Sequence, residues 1–209
     1  MREEPKKDKK FIAVRGDLLH KIIEIANKDG KTVFGFVNEI FEQAIRSEQL
    51  NVSLEEIIEF YELIEIMKKA GAVITTADLQ NHLVGKLYSI EKDSLREKWY
   101  VSGVWYGKYL ATRFNDALGV FKRILQSCMW DISEANVEVK GDGHVNIRCV
   151  APNHSRENTE LLARFLQGVM NALDFKVVKE EAWKGIILME LEKRTPLTDI
   201  ELGLEPLKD

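Results

Sequence analysis

Apolar residues between Leu18 and Ile45 recur at helical spacing and divide into two runs. Leu18, Leu19, Ile22, Ile25 and Ala26 line a first helix; Val33, Phe36, Val37, Ile40, Phe41, Ala44 and Ile45 line a second. Asp29-Gly30 stops the first run, with Gly30 suited to the left-handed position just past a helix, and Thr32 stands where a cap of the second belongs. Ahead of both, residues 9–15 (KKFIAVR) are rich in β-formers and end at the breaker Gly16-Asp17, which predicts one short strand. A lone strand and two short helices bury too little to be stable, so this unit requires a partner.

Past Asn51, Ser53 and Glu56 have capping-box spacing and open a helix running to about residue 69. Leu54, Ile57, Ile58, Tyr61 and Ile64 form one apolar face and Phe60, Leu63 and Met67 a second, so the helix is expected to bridge two parts of the chain. Gly71 ends it. Further helices are predicted over residues 76–89, 94–113 and 116–129, the middle one opened by a second capping box at Ser94 and Glu97. Gly103 and Gly107 lie four apart inside that helix, each costing about 1 kcal/mol relative to alanine. Close approach of another helix or strand would offset this; the alternative is room for a ligand beside Trp105, Tyr106 and Tyr109.

The period then shortens to two. Ala135, Val137 and Val139 alternate with polar residues, and so do Val145, Ile147 and Cys149 beyond a Gly141-Asp142-Gly143 turn. A helix over residues 155–173, with Leu162, Phe165, Val169 and Leu173 inward, precedes strands at 175–181 and 185–192. The order predicts an α+β protein: an N-terminal strand-helix-helix, a mainly helical segment, and an antiparallel β-β-α-β-β domain. Its expected parts are a basic flexible tail (1–8), a dimerisation unit (9–50), an α+β domain (51–193) and an irregular tail (194–209).

The N-terminal strand, helix, Gly30-Lys31-Thr32 turn and helix resemble the ribbon-helix-helix family of DNA-binding proteins. The resemblance implies a homodimer in which two chains exchange strands to form an antiparallel ribbon for the major groove of double-stranded DNA, with the second helix starting on phosphate. It turns Ile12 and Val14 toward the helices and Lys9, Phe11, Ala13 and Arg15 toward the groove, while Lys10, Lys31 and Thr32 are placed for the backbone. This groove face departs from the family, because Phe11 and Ala13 offer base edges little beyond thymine-methyl contact. Phe34 and Gly35 are likewise not the small polar residues expected beside phosphate.

Residues 53–193, through Gly103, Gly107, Gly168 and the Lys184-Gly185 turn, resemble the group of 4-vinyl-reductase-type, haem-NO-binding and TRAPP-type domains. That group implies a sensor for a small-molecule effector or a protein-interaction module. Trp105, Tyr109, Trp130 and Trp183 are the candidates to border its ligand pocket. The chain lacks the cysteine cluster of the metal-binding members, so no metal is expected from this resemblance.

Composition narrows the function classes. With 45% hydrophobic residues among 209, and no uninterrupted apolar run of membrane-spanning length, the chain is expected to be a soluble cytoplasmic protein. The net charge of −4 is unevenly spread: residues 1–32 carry nine Lys/Arg against six Asp/Glu, whereas 33–70 carry three against eight. A basic end on an acidic body can orient onto phosphates. Cys128 and Cys149 lack metal-ligand spacing and are expected to be buried thiols. His20, His82, His144 and His154 are scattered, and no phosphate loop, nucleophile elbow or metalloprotease motif occurs. The expectation is therefore a non-enzyme without cofactor: a DNA-binding regulator, or alternatively an interaction protein that uses the N-terminal unit only to dimerise.

Overall fold

A computed structural model describes residues 10–141 and 143–194. The protein is α+β: six helices and a four-stranded antiparallel sheet among the described residues. The chain divides into two compact units between Glu59 and Phe60. None of its described helices is long and apolar enough to cross a membrane. The expected tails, 1–8 and 195–209, together with Lys9 and Asp142, lie outside the described residues.

The first unit contains α1 (Gly16–Lys28) and α2 (Val33–Gln49), packed on each other. Gly30 has φ +67°, and the Lys31 N–H returns to the Ala26 carbonyl at 2.8 Å, closing α1 through a left-handed residue. Thr32 caps α2 by accepting the Gly35 N–H at 3.1 Å. Both helix ends therefore form as their sequence signals require. The strand expected over residues 9–15 does not: residues 10–15 belong to no strand, and Ile12 and Val14 are exposed instead of turned onto the helices. A strand needs a neighbouring strand to pair with, and among the described residues the sheet contains only segments of the second unit.

The second capping signal also forms. Ser53 donates its N–H to Glu56 at 2.7 Å and its Oγ accepts the Glu56 N–H at 3.1 Å, opening α3 (Leu54–Lys69). Gly71 ends it at φ +79°. The division between the units falls inside α3, whose later residues Leu63, Ile64, Ile66 and Met67 join the core of the second unit.

The two helices predicted over residues 76–113 are one 37-residue helix, α4 (Ala77–Arg113), kinked at Glu91 with φ −138° and ψ 48°. Ser94 is consequently an interior residue, not the cap that its spacing suggested. Thr76 caps α4, and Asp116 caps α5 (Ala117–Ser127) by accepting the Gly119 N–H at 2.9 Å.

Strands β1 (Glu134–Val139), β2 (His144–Val150), β3 (Phe175–Trp183) and β4 (Ile186–Lys193) are ordered β1-β2-β4-β3, every neighbouring pair antiparallel. Two hairpins thus join through β2 and β4, with α6 (Arg156–Ala172) connecting them. In register, Val145, Ile147 and Cys149 oppose Leu191, Met189 and Ile187, and all six are buried. The alternate residues Asn146, Arg148, Glu190 and Glu192 occupy the other face. A bulge between Val177 and Lys179 shifts the register of β3.

Helix α6 is the middle layer, apolar toward the sheet and glycine-marked toward α4. Leu162, Leu166, Val169 and Met170 are fully buried, whereas Phe165 and Leu173, both expected inward, are only partly so. Across the α4–α6 contact, a Cβ on Gly103 would overlap the Phe165 carbonyl and one on Gly107 would lie 2.6 Å from the Val169 carbonyl oxygen. Gly168 meets α4 in the same way, against Tyr100 and Gly103. These glycines let two helix backbones touch, which offsets their propensity cost.

Candidate nucleic-acid interface

The residues proposed to meet DNA lie in the segment ahead of α1 and in the α1–α2 turn. Lys10, Phe11, Ala13 and Arg15 are all exposed; Lys9 falls outside the described residues. Arg15 is the extended residue immediately before α1, and its guanidinium grips Asp17 with two hydrogen bonds, 3.1 Å from Nε and 2.6 Å from Nη2. That pair holds the Asp17 carboxyl below its ordinary range and raises Arg15 further. Both side chains are well exposed, so the pair is weak in water and open to exchange with another anion.

At the turn, Thr32 Oγ1 satisfies one N–H of α2, and the first turn of α2 carries no acidic residue. A helix start of this kind, with the dipole behind it, favours a phosphate. Lys31 beside it reaches Glu39 at 2.5 Å, a contact that raises its pKa, and its Nζ stands 6.0 Å from the centre of the Phe36 ring. Two of the proposed cations, Arg15 and Lys31, are thus each held by a carboxylate within the single chain.

Many apolar side chains of this unit remain on its surface. Ile12, Val14, Leu18, Leu19, Ile25, Phe34, Ile40, Phe41 and Ile45 are exposed, while Ala26 and Ser47 are the buried residues of α1 and α2. The periodicity that predicted two helices therefore describes faces that the described chain covers only in part: Ala26 is buried and Ile22, Val33, Phe36, Val37 and Ala44 are half-buried, while Leu18, Leu19, Ile25, Ile40, Phe41 and Ile45 stay exposed.

The four pocket candidates are spread over α4, the α5–β1 connection and the end of β3. Trp105 stacks on Tyr109, ring centroids 5.7 Å apart and planes within 10°, and the Arg113 guanidinium lies 5.2 Å from the Tyr109 ring centre. Trp130 lies between α5 and β1 and Trp183 ends β3. All three tryptophans are more than half exposed, so they are not core residues. The space beside Gly103 and Gly107 is filled by the backbone of α6, which excludes a ligand there.

One polar cluster escaped the sequence reading. His154, only 4% exposed, hydrogen-bonds through Nε2 to Asp131 Oδ2 at 2.7 Å, and this contact lowers the Asp131 pKa. Asn81 of α4 binds the same junction: its amide donates to the Asn153 carbonyl at 2.8 Å, and its oxygen accepts from Ser155 N–H at 2.9 Å and Asn158 Nδ2 at 2.5 Å. The cluster ties α4 and the α5–β1 connection to the start of α6. Nothing in the spacing of residues 81, 131 and 154 announces it. Among the described residues no group of three or more His, Cys, Asp or Glu could hold a metal ion.

Comparison of the chain with protein-family models, with curated proteins and with solved structures found no match.

Proposed function

We propose that the protein is a cytoplasmic, homodimeric DNA-binding regulator of the ribbon-helix-helix type, with the second unit serving as an effector-binding or protein-interaction domain. The observation that carries this reading is the uncovered apolar set of the first unit, from Ile12 through Ile45. A monomer holding that much unburied surface is poorly stable, and a second copy supplies both a partner strand for residues 10–15 and a matching face for α1 and α2. The capped, acid-free start of α2 supports phosphate contact. The α+β second unit, with two hairpins joined by a helix, is compatible with the sensor and assembly domains named above.

A gel-shift titration of the full chain on duplex DNA at low salt, alongside sedimentation, tests the reading. A dimer that retards duplex and releases it as salt rises is the expected result; a dimer that binds no duplex overturns DNA binding. One set of contacts favours the alternative of a dimeric interaction protein. Phe11 and Phe34 stay exposed while Arg15 and Lys31 are engaged by carboxylates, a surface better suited to protein than to a polyanion.

A further inference from the structure

We infer that α4 carries a second contact between two copies of the chain, made by a leucine stripe that pairs antiparallel with itself. Leu79, Leu83, Leu87 and Ile90 follow one another at helical spacing on the first half of α4, ahead of the kink at Glu91, and are 50, 52, 41 and 81% exposed. The opposite side of the same turns is anchored, since Val84 and Tyr88 pack with Leu95 and Leu161. The stripe therefore faces away from its own core, and none of its four positions is charged.

Its spacing is self-complementary. Turned about a two-fold axis near residue 85, Leu79 of one copy meets Ile90 of the other, and Leu83 meets Leu87, so one patch serves both sides as an isologous contact requires. The area selects the occupant. Four side chains at these exposures offer roughly 400 Å² per copy, about half of what a free-standing interface buries on each partner. An independent partner would need more surface than this. A second copy already held at the N-terminus does not, because tethering raises the effective concentration to the order of millimolar. The inference thus rests on the dimer proposed above and extends it to the second unit.

Full-length Lys86→Cys places a thiol beside the stripe, close to the two-fold axis, while the native Cys128 and Cys149 are buried. Treated with a short bismaleimide, this variant should cross-link to a covalent dimer about tenfold faster than Arg123→Cys, an exposed position on α5. Adding Leu83→Glu and Leu87→Glu, or the milder Leu83→Ser, should abolish that advantage while sedimentation still shows a dimer. A sedimenting dimer in which the two cysteines react alike, or in which the stripe substitutions change nothing, overturns this inference alone. A monomeric wild-type chain at micromolar concentration overturns both it and the N-terminal dimer.

Discussion

Gly168 of α6 faces Gly103 of α4 so closely that a Cβ on Gly168 would stand 3.0 Å from the Gly103 Cα and overlap the Tyr100 carbonyl. Relief requires the helices to separate, because the obstacle is backbone. Gly168→Ala should destabilise the protein by about 1–3 kcal/mol despite alanine's better helix propensity. Gly85→Ala, on the same helix α4 but with nothing within 4 Å of the new methyl, should instead stabilise by up to about 1 kcal/mol. Urea melts of the two variants check the pair, and a shift of the same sign in both would refute the close-contact account.

The Arg15–Asp17 pair sets a condition on DNA binding. If Arg15 makes a bidentate guanine contact it must leave Asp17, so Asp17→Asn should tighten binding to duplex by a few-fold through release of the guanidinium and loss of a like-charged neighbour of phosphate. Arg15→Ala should weaken selected sites by about 1–3 kcal/mol more than random DNA, whereas Lys31→Ala should weaken both alike. Equal losses on both substrates from Arg15→Ala would remove it from base readout.

Asp131 makes stability depend on acid. Its carboxyl titrates below the ordinary carboxylate value in the folded state, so its contribution is complete above the unfolded pKa near 4 and disappears as pH falls through the lower folded value. Asp131→Ala, which strips buried His154 of its acceptor, should cost about 1–3 kcal/mol at neutral pH. Denaturant titrations of both proteins from pH 7 downward should show that gap closing below about pH 4. A gap of constant size across the range would show that ionisation of Asp131 contributes nothing to its hydrogen bond with His154.

Burial pushes the Cys149 thiol up to about 12 and raises Cys128 as well. Neither should react with iodoacetamide at pH 8 in the native protein, and labelling should appear only through unfolding, with the same denaturant dependence for both. Mass spectrometry after short pulses reads this directly. Rapid labelling of Cys149 without denaturant would place it at an accessible site.

Local signals were legible where a few neighbouring residues decide the structure. Ser53 with Glu56, Thr32, Gly30 and the alternation of residues 145–149 each fix their own backbone, and all of them form as the sequence implies. The failures arose where distant chain decides. Ser94 has the residues of a cap, yet packing of α4 along α6 carries the helix through it. The inward face of α6 is rotated from the expected one because this helix is covered on two sides, so Leu166 and Met170 are buried as deeply as Leu162. Trp105, Trp130 and Trp183 are bulky enough to suit a core or a pocket wall, yet each is more than half exposed, because bulk does not fix which side of an element meets the core. His154 and Asp131 are joined only by the folded junction, with no periodicity to mark them.

The register shift at Val178 also governs what the sheet declines to do. Strand β3 is an outer strand, and an even row of unpaired backbone groups there would invite a strand from another molecule to add on. The bulge bends the row out of line, and Lys179, Glu180 and Glu181 follow it immediately with charge. At the opposite edge, Gln126 of α5 donates to the Ala135 carbonyl of β1. Both rims are thereby made poor templates, so the sheet resists growing by the addition of strands from other molecules.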